Sequence, residues 1–407
     1  MSTRLSCAVQ NYAWGKIGKE SKVATLSRTA CSSHVIVEEN PYAELWMGTH
    51  SKGPSRVYET SQSLGDWLTT NPKCLGNIPI AETGSSSGVE LPFLFKVLSV
   101  RKALSVQVHP TKEQAKILHA NDSKNYPDSN HKPEMAIALT PFELMCGFRR
   151  FNEIIDHLEG VPQLRRLVGE DAAVALKTNP SKENLKVVFS NLMKRDADTL
   201  NKEIDSFVQA LTDETNTYSL KKGLWSLILR LSKDFPSDVG VFVPLLLNHF
   251  TLQPGDATFL GPNEPHAYLY GDCIECMACS DNTIRAGLTP KFKDVNNLCE
   301  LLTYRTGSPE DNKLYPEEDT SDPRVHWYIP PVSDFAVRKI QASKRSETII
   351  PKPLDSCSLL LIASGSALVD SVPASEGTVL LVPAQHQLTI CATDTAFIGY
   401  EAFYPGS

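Results

Sequence analysis

Four residues from three separate segments of the chain carry donor atoms suited to a single divalent ion. In Leu104-Ser-Val-Gln107-Val-His109-Pro110, alternate residues of a strand share a face. Gln107 and His109 therefore point the same way about 7 Å apart, with Ser105 beside them and Val106 and Val108 opposite. Pro110 removes a ladder donor and ends the strand. In Asn130-His-Lys132-Pro-Glu134-Met135, Glu134 opens an apolar strand and Lys132 lies two residues before it on the same side. In Gly261-Pro-Asn-Glu-Pro-His266-Ala-Tyr268, turn residues deliver His266 and Tyr268 onto one strand face. One amide oxygen, two imidazoles and a carboxylate suit zinc with a position left open, or another borderline divalent ion. A lone strand histidine is more often a hydrogen-bonded structural residue, which is the expectation for His34, His50, His119, His157, His249, His326 and His386. The co-occurrence of the three segments, rather than any one histidine, carries the metal reading.

Two further segments have the residue types for chemistry. Cys273-Ile-Glu275-Cys276-Met-Ala-Cys279 has the spacing of part of an iron–sulfur run but lacks the close fourth cysteine. On a strand Cys276 faces away from Cys273 and Cys279, so three thiolates do not converge; the cysteines read as small buried residues, and Glu275 is the useful member. Asp281-Asn-Thr-Ile-Arg285 through Lys291-Phe-Lys293 gathers three cations in a loop shaped by Gly287 and Pro290. A solvated loop is the usual fate of such a cluster, but its place just after the cavity strand favours an anion such as a phosphorylated substrate, with Arg as a bidentate partner.

The elements that must position these groups follow from the rest of the chain. Its 407 residues exceed what one hydrophobic core fills, and 41% hydrophobic with 21% charged residues excludes wholesale disorder. With 40 Lys+Arg against 47 Asp+Glu, the net charge of −7 argues against general nucleic-acid or anionic-membrane binding. No segment has the apolar length of a signal peptide or membrane span. The 10 cysteines are scattered, so reduced thiols in a cytoplasmic setting are expected. Residues 1–150 alternate short apolar runs with turn residues and read as strands, with a flexible loop at Ala81–Gly88 and one helix capped by Thr111 and Gln114. From 151 to 249 apolar residues recur at spacings of three and four, as in helices broken near Asn179-Pro180 and Phe235-Pro236. The strand texture returns at about 250, in Leu252–Asp256 and later in Leu359–Ile362, Val379–Val382 and Gln387–Ile390. The chain is thus expected to be α+β, mainly β: a β domain of 1–150 and 250–310, a helical insertion at 151–249, and a second β unit at 311–407.

Several long stretches resemble the type I phosphomannose isomerases. They are Leu5–Gly15, Pro41–His50, Leu91–Val100, His131–Pro141, and Gly271–Asn282 with the Arg285 loop, so most of residues 5–150 and 250–305 are covered. The resemblance implies a cupin (jelly-roll) barrel with an inserted helical domain and a second cupin-like barrel. It also implies one zinc ion per chain and interconversion of mannose 6-phosphate with fructose 6-phosphate, supplying GDP-mannose and glycoconjugate synthesis. Position by position, Gln107, His109, Glu134 and His266 match the family's metal ligands and Arg285 its active-site arginine. Glu44, Ser105, Lys132, Tyr268, Glu275, Asp281 and Lys291 fall in its pocket motifs. A phosphorylated hexose is the implied partner, and a monomer is favoured.

Such an isomerisation moves a proton between C2 and C1 through an enediol(ate). Arg285 stays charged and cannot be the base; it is expected to hold phosphate or a developing oxyanion. Glu275 and Lys132 are the candidates for proton transfer. Two rival readings stay open: an iron(II) oxygenase using two histidines and a carboxylate, and a non-catalytic sugar-binding or storage cupin.

Overall fold

The computed structural model describes residues 2–31, 35–79, 88–213, 218 and 220–406. His34 and, except for Gly88, the Gly/Ser-rich loop lie outside the described residues. The central strands are built from side chains that find cover on both faces. Phe93–Val100 is buried at every position. Phe93, Phe95 and Val97 enter a core shared with Leu359, Leu361, Leu381 and Tyr400 of the C-terminal part. Leu98 and Val100 turn the other way and pack with Phe142, Leu144 and Tyr268 inside the barrel. Glu134–Ala138 divides likewise: Met135 and Ile137 join the shared core, while Ala136 and Ala138 face inward. The period of two sorts each strand between the two environments.

Among the described residues the larger sheet has 11 strands, seven of them along the path Lys313–Leu314, Ala257–Leu260, Glu134–Ala138, His266–Ala278, Phe93–Val100, Glu44–Met47 and Ala8–Gln10, with Val106–Val108, Phe142–Phe148, Leu247–Leu252 and Ile284–Gly287 branching from it. His266–Ala278, 13 residues long, joins its two halves. Its second half pairs with Phe93–Val100 and Glu134–Ala138; its first half pairs with Phe142–Phe148 and Val106–Val108. Gly271 makes the change of sheet possible. Its φ is +118°, and a Cβ there would sit 2.5 Å from the Pro141 carbonyl oxygen and 2.9 Å from Phe142 Cα, so no other residue fits without displacing backbone.

Six helices between Phe151 and Asp234 form the insertion among the described residues, with breaks at the two expected Asn/Phe-Pro positions. The periodic stretch from Glu183 to Leu211 contains a break that its pattern conceals. One helix ends at Met193 and another starts at Ala197, where the Asp196 carboxylate accepts from Thr199 N–H at 2.9 Å. The apolar faces of the insertion pack on Val106, Val108, Ile284 and Ala286, so the helices back the strands that carry Gln107, His109 and Arg285. The helix Lys112–Asn121 has the expected reciprocal cap between Thr111 and Gln114. No described helix is long and apolar enough to cross a membrane.

The C-terminal part is an 8-stranded sheet facing a 4-stranded one over a core that includes Ile340, Leu360, Ile362, Ile390 and Phe397. Three strands cross the expected division. Thr3–Ser6 pairs with Val379–Val382 and Arg56–Val57 pairs with Thr3–Ser6, so both extend the C-terminal sheet, and Lys313–Leu314 pairs with Ala257–Leu260 of the larger one. Gln253–Asp256 is a turn between Leu247–Leu252 and Ala257–Leu260 rather than strand, and the last expected run begins its strand only at Ile390.

Candidate active site and metal centre

The inner faces of the strands deliver three ligand-bearing side chains to one point. His109, Glu134 and His266 place their donor atoms within 4.8 Å of one another. Glu134 Oε1 lies 3.3 Å from His109 Nε2, and Glu134 Oε2 lies 3.6 Å from His266 Nε2. All three residues are buried. His109 Nδ1 meets the Asn282 carbonyl at 2.8 Å and His266 Nδ1 meets the Glu264 carbonyl at 3.0 Å. Both rings therefore carry their proton on Nδ1 and turn the Nε2 lone pair to the centre, as metal-binding histidines do. His109 Nε2 and Glu134 Oε2 are buried without a hydrogen-bond partner. Buried orphan donors facing one point fit a cation and leave buried polarity unmet without it.

Gln107 reaches the same centre, its amide nitrogen 3.4 Å from His266 Nε2. Its amide oxygen accepts from the Ser105 hydroxyl at 3.1 Å. Lys132 Nζ lies 3.0 Å from Glu134 Oε1. Burial pushes the Glu134 carboxyl up, but Lys132 and the two imidazoles outweigh it and hold the group well below its usual range. Tyr268, buried with its hydroxyl unpartnered, stacks edge-on against Phe142, 5.1 Å between ring centroids. Burial first and then Glu275 and Glu134 keep its phenol protonated far above its ordinary range.

A second charged array adjoins this one. Glu275 pairs across the sheet with Lys96, and their side chains meet at 2.9 Å, with Glu44 3.6 Å from the same ammonium. Burial raises the Glu275 carboxyl above its usual pKa; Lys96 opposes this, and the neighbouring carboxylates of Glu134 and Glu44 reinforce it. Lys96 also lies 5.3 Å from the centre of the Trp46 ring, and the Trp46 indole donates to Glu44. Lys96 is the site residue missed in the sequence. The signal was present: a single cation within Phe93-Leu-Phe-Lys96-Val-Leu-Ser-Val100, where every neighbour reads as buried.

Arg285 lies directly across from Gln107 in the ladder, which puts the two side chains on the same face about 5 Å apart at Cβ. Burial lowers the pKa of its guanidinium from the ordinary value. No described carboxylate lies within ion-pair distance of it; every other arginine pairing stands elsewhere. The rest of the cation loop disperses. Lys293 turns to Asp238 at 3.3 Å, while Lys291 is exposed. Asp281 lies 3.7 Å from His50 and 2.5 Å from Lys52, and hydrogen bonding to His50 and then to Lys52 holds its carboxyl well below its usual range against the opposing effect of burial.

Among the other described histidines, His119 bonds the Tyr126 carbonyl, His157 the Leu245 carbonyl, His249 Glu143, His386 Asp370 and His131 Asp334, whereas His326 departs from the expectation, its Nδ1 being buried without a hydrogen-bond partner. Of the three clustered cysteines, Cys273 and Cys276 are buried as expected, while Cys279 is only partly buried. Cys276 faces the shared core and Cys273 the barrel interior, and all 10 thiols are free.

Burial lowers the His109 pKa from 6.5 to about 4. An unfolded His109 takes up a proton near pH 6.5, whereas the folded one resists until about pH 4. Stability is therefore whole above pH 6.5 and is lost as pH falls through about 4, by about 3 kcal/mol for this one group. Chelator-treated protein should show a urea midpoint that drops between pH 7 and pH 4.5, and a His109→Phe variant should show a smaller drop. Equal slopes for the two proteins would contradict the assignment.

Comparison with known proteins agrees with this architecture. Residues 2–151 match the catalytic domain of type I phosphomannose isomerase and residues 166–247 its helical insertion domain. Mannose-6-phosphate isomerase of Rattus norvegicus is 45% identical over 96% of this chain and 95% of its own. The Saccharomyces cerevisiae enzyme of that name is 41% identical over 98% of each. The crystal structure of the apo mannose 6-phosphate isomerase of Salmonella typhimurium superposes with a TM-score of 0.82 at 31% identity, covering 99% of both chains. A mannose 6-phosphate isomerase structure bound with zinc and yttrium gives 0.81 at 30% identity over 99% of each chain. With the family's catalytic and helical insertion domains matched and near full-length relatives well above 30% identity, the chain belongs to the type I phosphomannose isomerases.

Proposed function

We propose that this protein is a zinc-dependent aldose–ketose isomerase that interconverts mannose 6-phosphate and fructose 6-phosphate through an enediol(ate). The observation that carries the reading is the pairing of two unmet needs on adjacent strands. Buried donors of His109 and Glu134 face a common point without a partner, and a half-buried guanidinium without a carboxylate stands on the neighbouring strand. The first calls for a cation and the second for an anion. The names of the full-length relatives support the same substrate.

His109, Glu134 and His266 would hold the zinc, with Gln107 as the fourth ligand. A half-turn of the Gln107 amide presents its oxygen to the centre, and the Ser105 hydroxyl then accepts from the amide nitrogen instead of donating. Zinc supplies a Lewis acid that stabilises negative charge on a substrate oxygen. Glu275 transfers the proton between C2 and C1. Its raised pKa places it nearer the operating pH than an ordinary carboxylate, and Lys96 keeps it oriented. Lys132 stays bonded to Glu134 and adds positive potential beside the reacting oxygens. Arg285 faces the developing oxyanion or the phosphate, and the free ammonium of Lys291 provides a second phosphate contact at the mouth. Tyr268 offers its unpartnered hydroxyl to a sugar oxygen, while Glu44 and Asp281 hold the surrounding cations in place. An unpaired guanidinium beside the ligand cluster has little use in an iron(II) oxygenase or a storage cupin.

The test is a coupled assay that follows fructose 6-phosphate formed from mannose 6-phosphate, with unphosphorylated mannose as comparison. Turnover of the phosphorylated sugar alone is expected. Folded, zinc-replete protein that leaves mannose 6-phosphate unchanged would reject the reading.

A further inference from the structure

Asp128 touches none of the residues proposed to hold the metal, yet its carboxylate accepts four hydrogen bonds from two separate segments. Oδ1 accepts from Asn130 N at 3.0 Å, from Ser280 Oγ at 2.8 Å and from Asn282 Nδ2 at 3.1 Å, and Oδ2 accepts from Asp281 N at 2.8 Å. Asn282 is held further by its amide, which donates to the carbonyls of Asp128 at 2.7 Å and Asn130 at 2.9 Å. Its backbone N–H reaches Ser280 Oγ at 3.2 Å. The carbonyl of this immobilised Asn282 is the one that receives the His109 Nδ1 proton. The other side of the clasp, 128–130, leads within four residues to Glu134.

We infer that Asp128 is a positioning residue that sets the metal affinity of the site. It locks the Asn282 carbonyl against His109 while anchoring the segment that brings in Glu134. The inference rests on the metal site proposed above. A histidine whose Nδ1–H points at a fixed carbonyl is preorganised to present Nε2, and loss of such an outer partner typically weakens metal binding about 10–100-fold. The bonds of Asp128 are charge-assisted and bridge two segments that no ladder joins directly. A neutral amide of the same shape would place its NH2 against N–H donors.

The experiment measures zinc affinity of the full-length protein by competition with a chromophoric chelator, for wild type, Asp128→Asn, Asp128→Ala and Ser280→Ala. Asp122→Ala serves as control, since the Asp122 carboxylate makes a similar local turn with Asn125 and holds no part of 280–282. Zinc dissociation constants about 10–100-fold higher are expected for both Asp128 variants, a smaller rise for Ser280→Ala, and none for Asp122→Ala. Excess zinc should return kcat towards wild type, which a merely unfolded variant would not show. Should Asp128→Ala fail to fold, Asp128→Asn and Ser280→Ala carry the test. Wild-type affinity in both of these folded variants overturns the inference. No zinc binding by wild type would overturn the metal reading itself, and the inference with it.

Discussion

Replacing Arg285 with Ala is expected to lower kcat/KM roughly a thousandfold, about 4 kcal/mol of transition-state stabilisation, while zinc content stays at wild-type level. The reason lies in what surrounds the guanidinium in the resting protein. It is drawn out of solvent, it opposes Gln107 in the ladder, and no described carboxylate neutralises it. Such a charge is costly to hold and is retained for an anion that arrives with the substrate. Two consequences separate this from a structural role. Arg285→Ala should be as stable as wild type or more so in a thermal melt, because an uncompensated half-buried charge has been removed. Arg285→Lys should recover only part of the loss, since a point charge replaces a planar fork. A near-normal Ala variant would remove Arg285 from the chemistry; an unstable one would make it a scaffold residue.

Removing the metal should have the larger absolute effect. A Lewis acid beside a developing charge contributes several kcal/mol, so exhaustive chelation should lower turnover about 10⁴-fold, and stoichiometric zinc should restore it. His109→Ala should stay inactive when zinc is returned, because the Nε2 donor, one of the buried orphans, is gone. The protein itself should remain folded after chelation near pH 7. The site is a small part of a barrel whose strands are tied by the inner core and by the core shared with the C-terminal part. Full activity in metal-free protein would end the zinc reading, whatever the family relationship.

Much of the site could be read before any tertiary information. Gln107 and His109 do share a side, and the two valines between and before them are buried against the helices, because strand alternation is a local property. Cys276 and Glu275 separate to opposite faces for the same reason. The helical insertion and its proline breaks were equally legible, since helix periodicity and proline's missing donor act within a few residues. The break at 194–196 escaped because the apolar spacing runs through it unchanged, and only the Asp196 cap marks it. Lys96 escaped because a lone lysine in a strand has no local signature of its partners. Those partners, Glu44 and Glu275, lie 52 and 179 residues away.

What the sequence alone determined, then, is which residue types stand on which face of each strand, and where strands yield to helices. These follow from dihedral periodicity and local capping, which neighbouring residues control. Tertiary structure decided which faces meet. Chain proximity puts Thr3–Ser6 in the first β domain, but it pairs with Val379–Val382. The three lysines and arginines of one loop were read together, yet they part: Arg285 turns inward, Lys293 binds Asp238 and Lys291 remains in solvent. Pairing of strands and charges across hundreds of residues depends on shape and burial of the whole molecule, and no local rule encodes it.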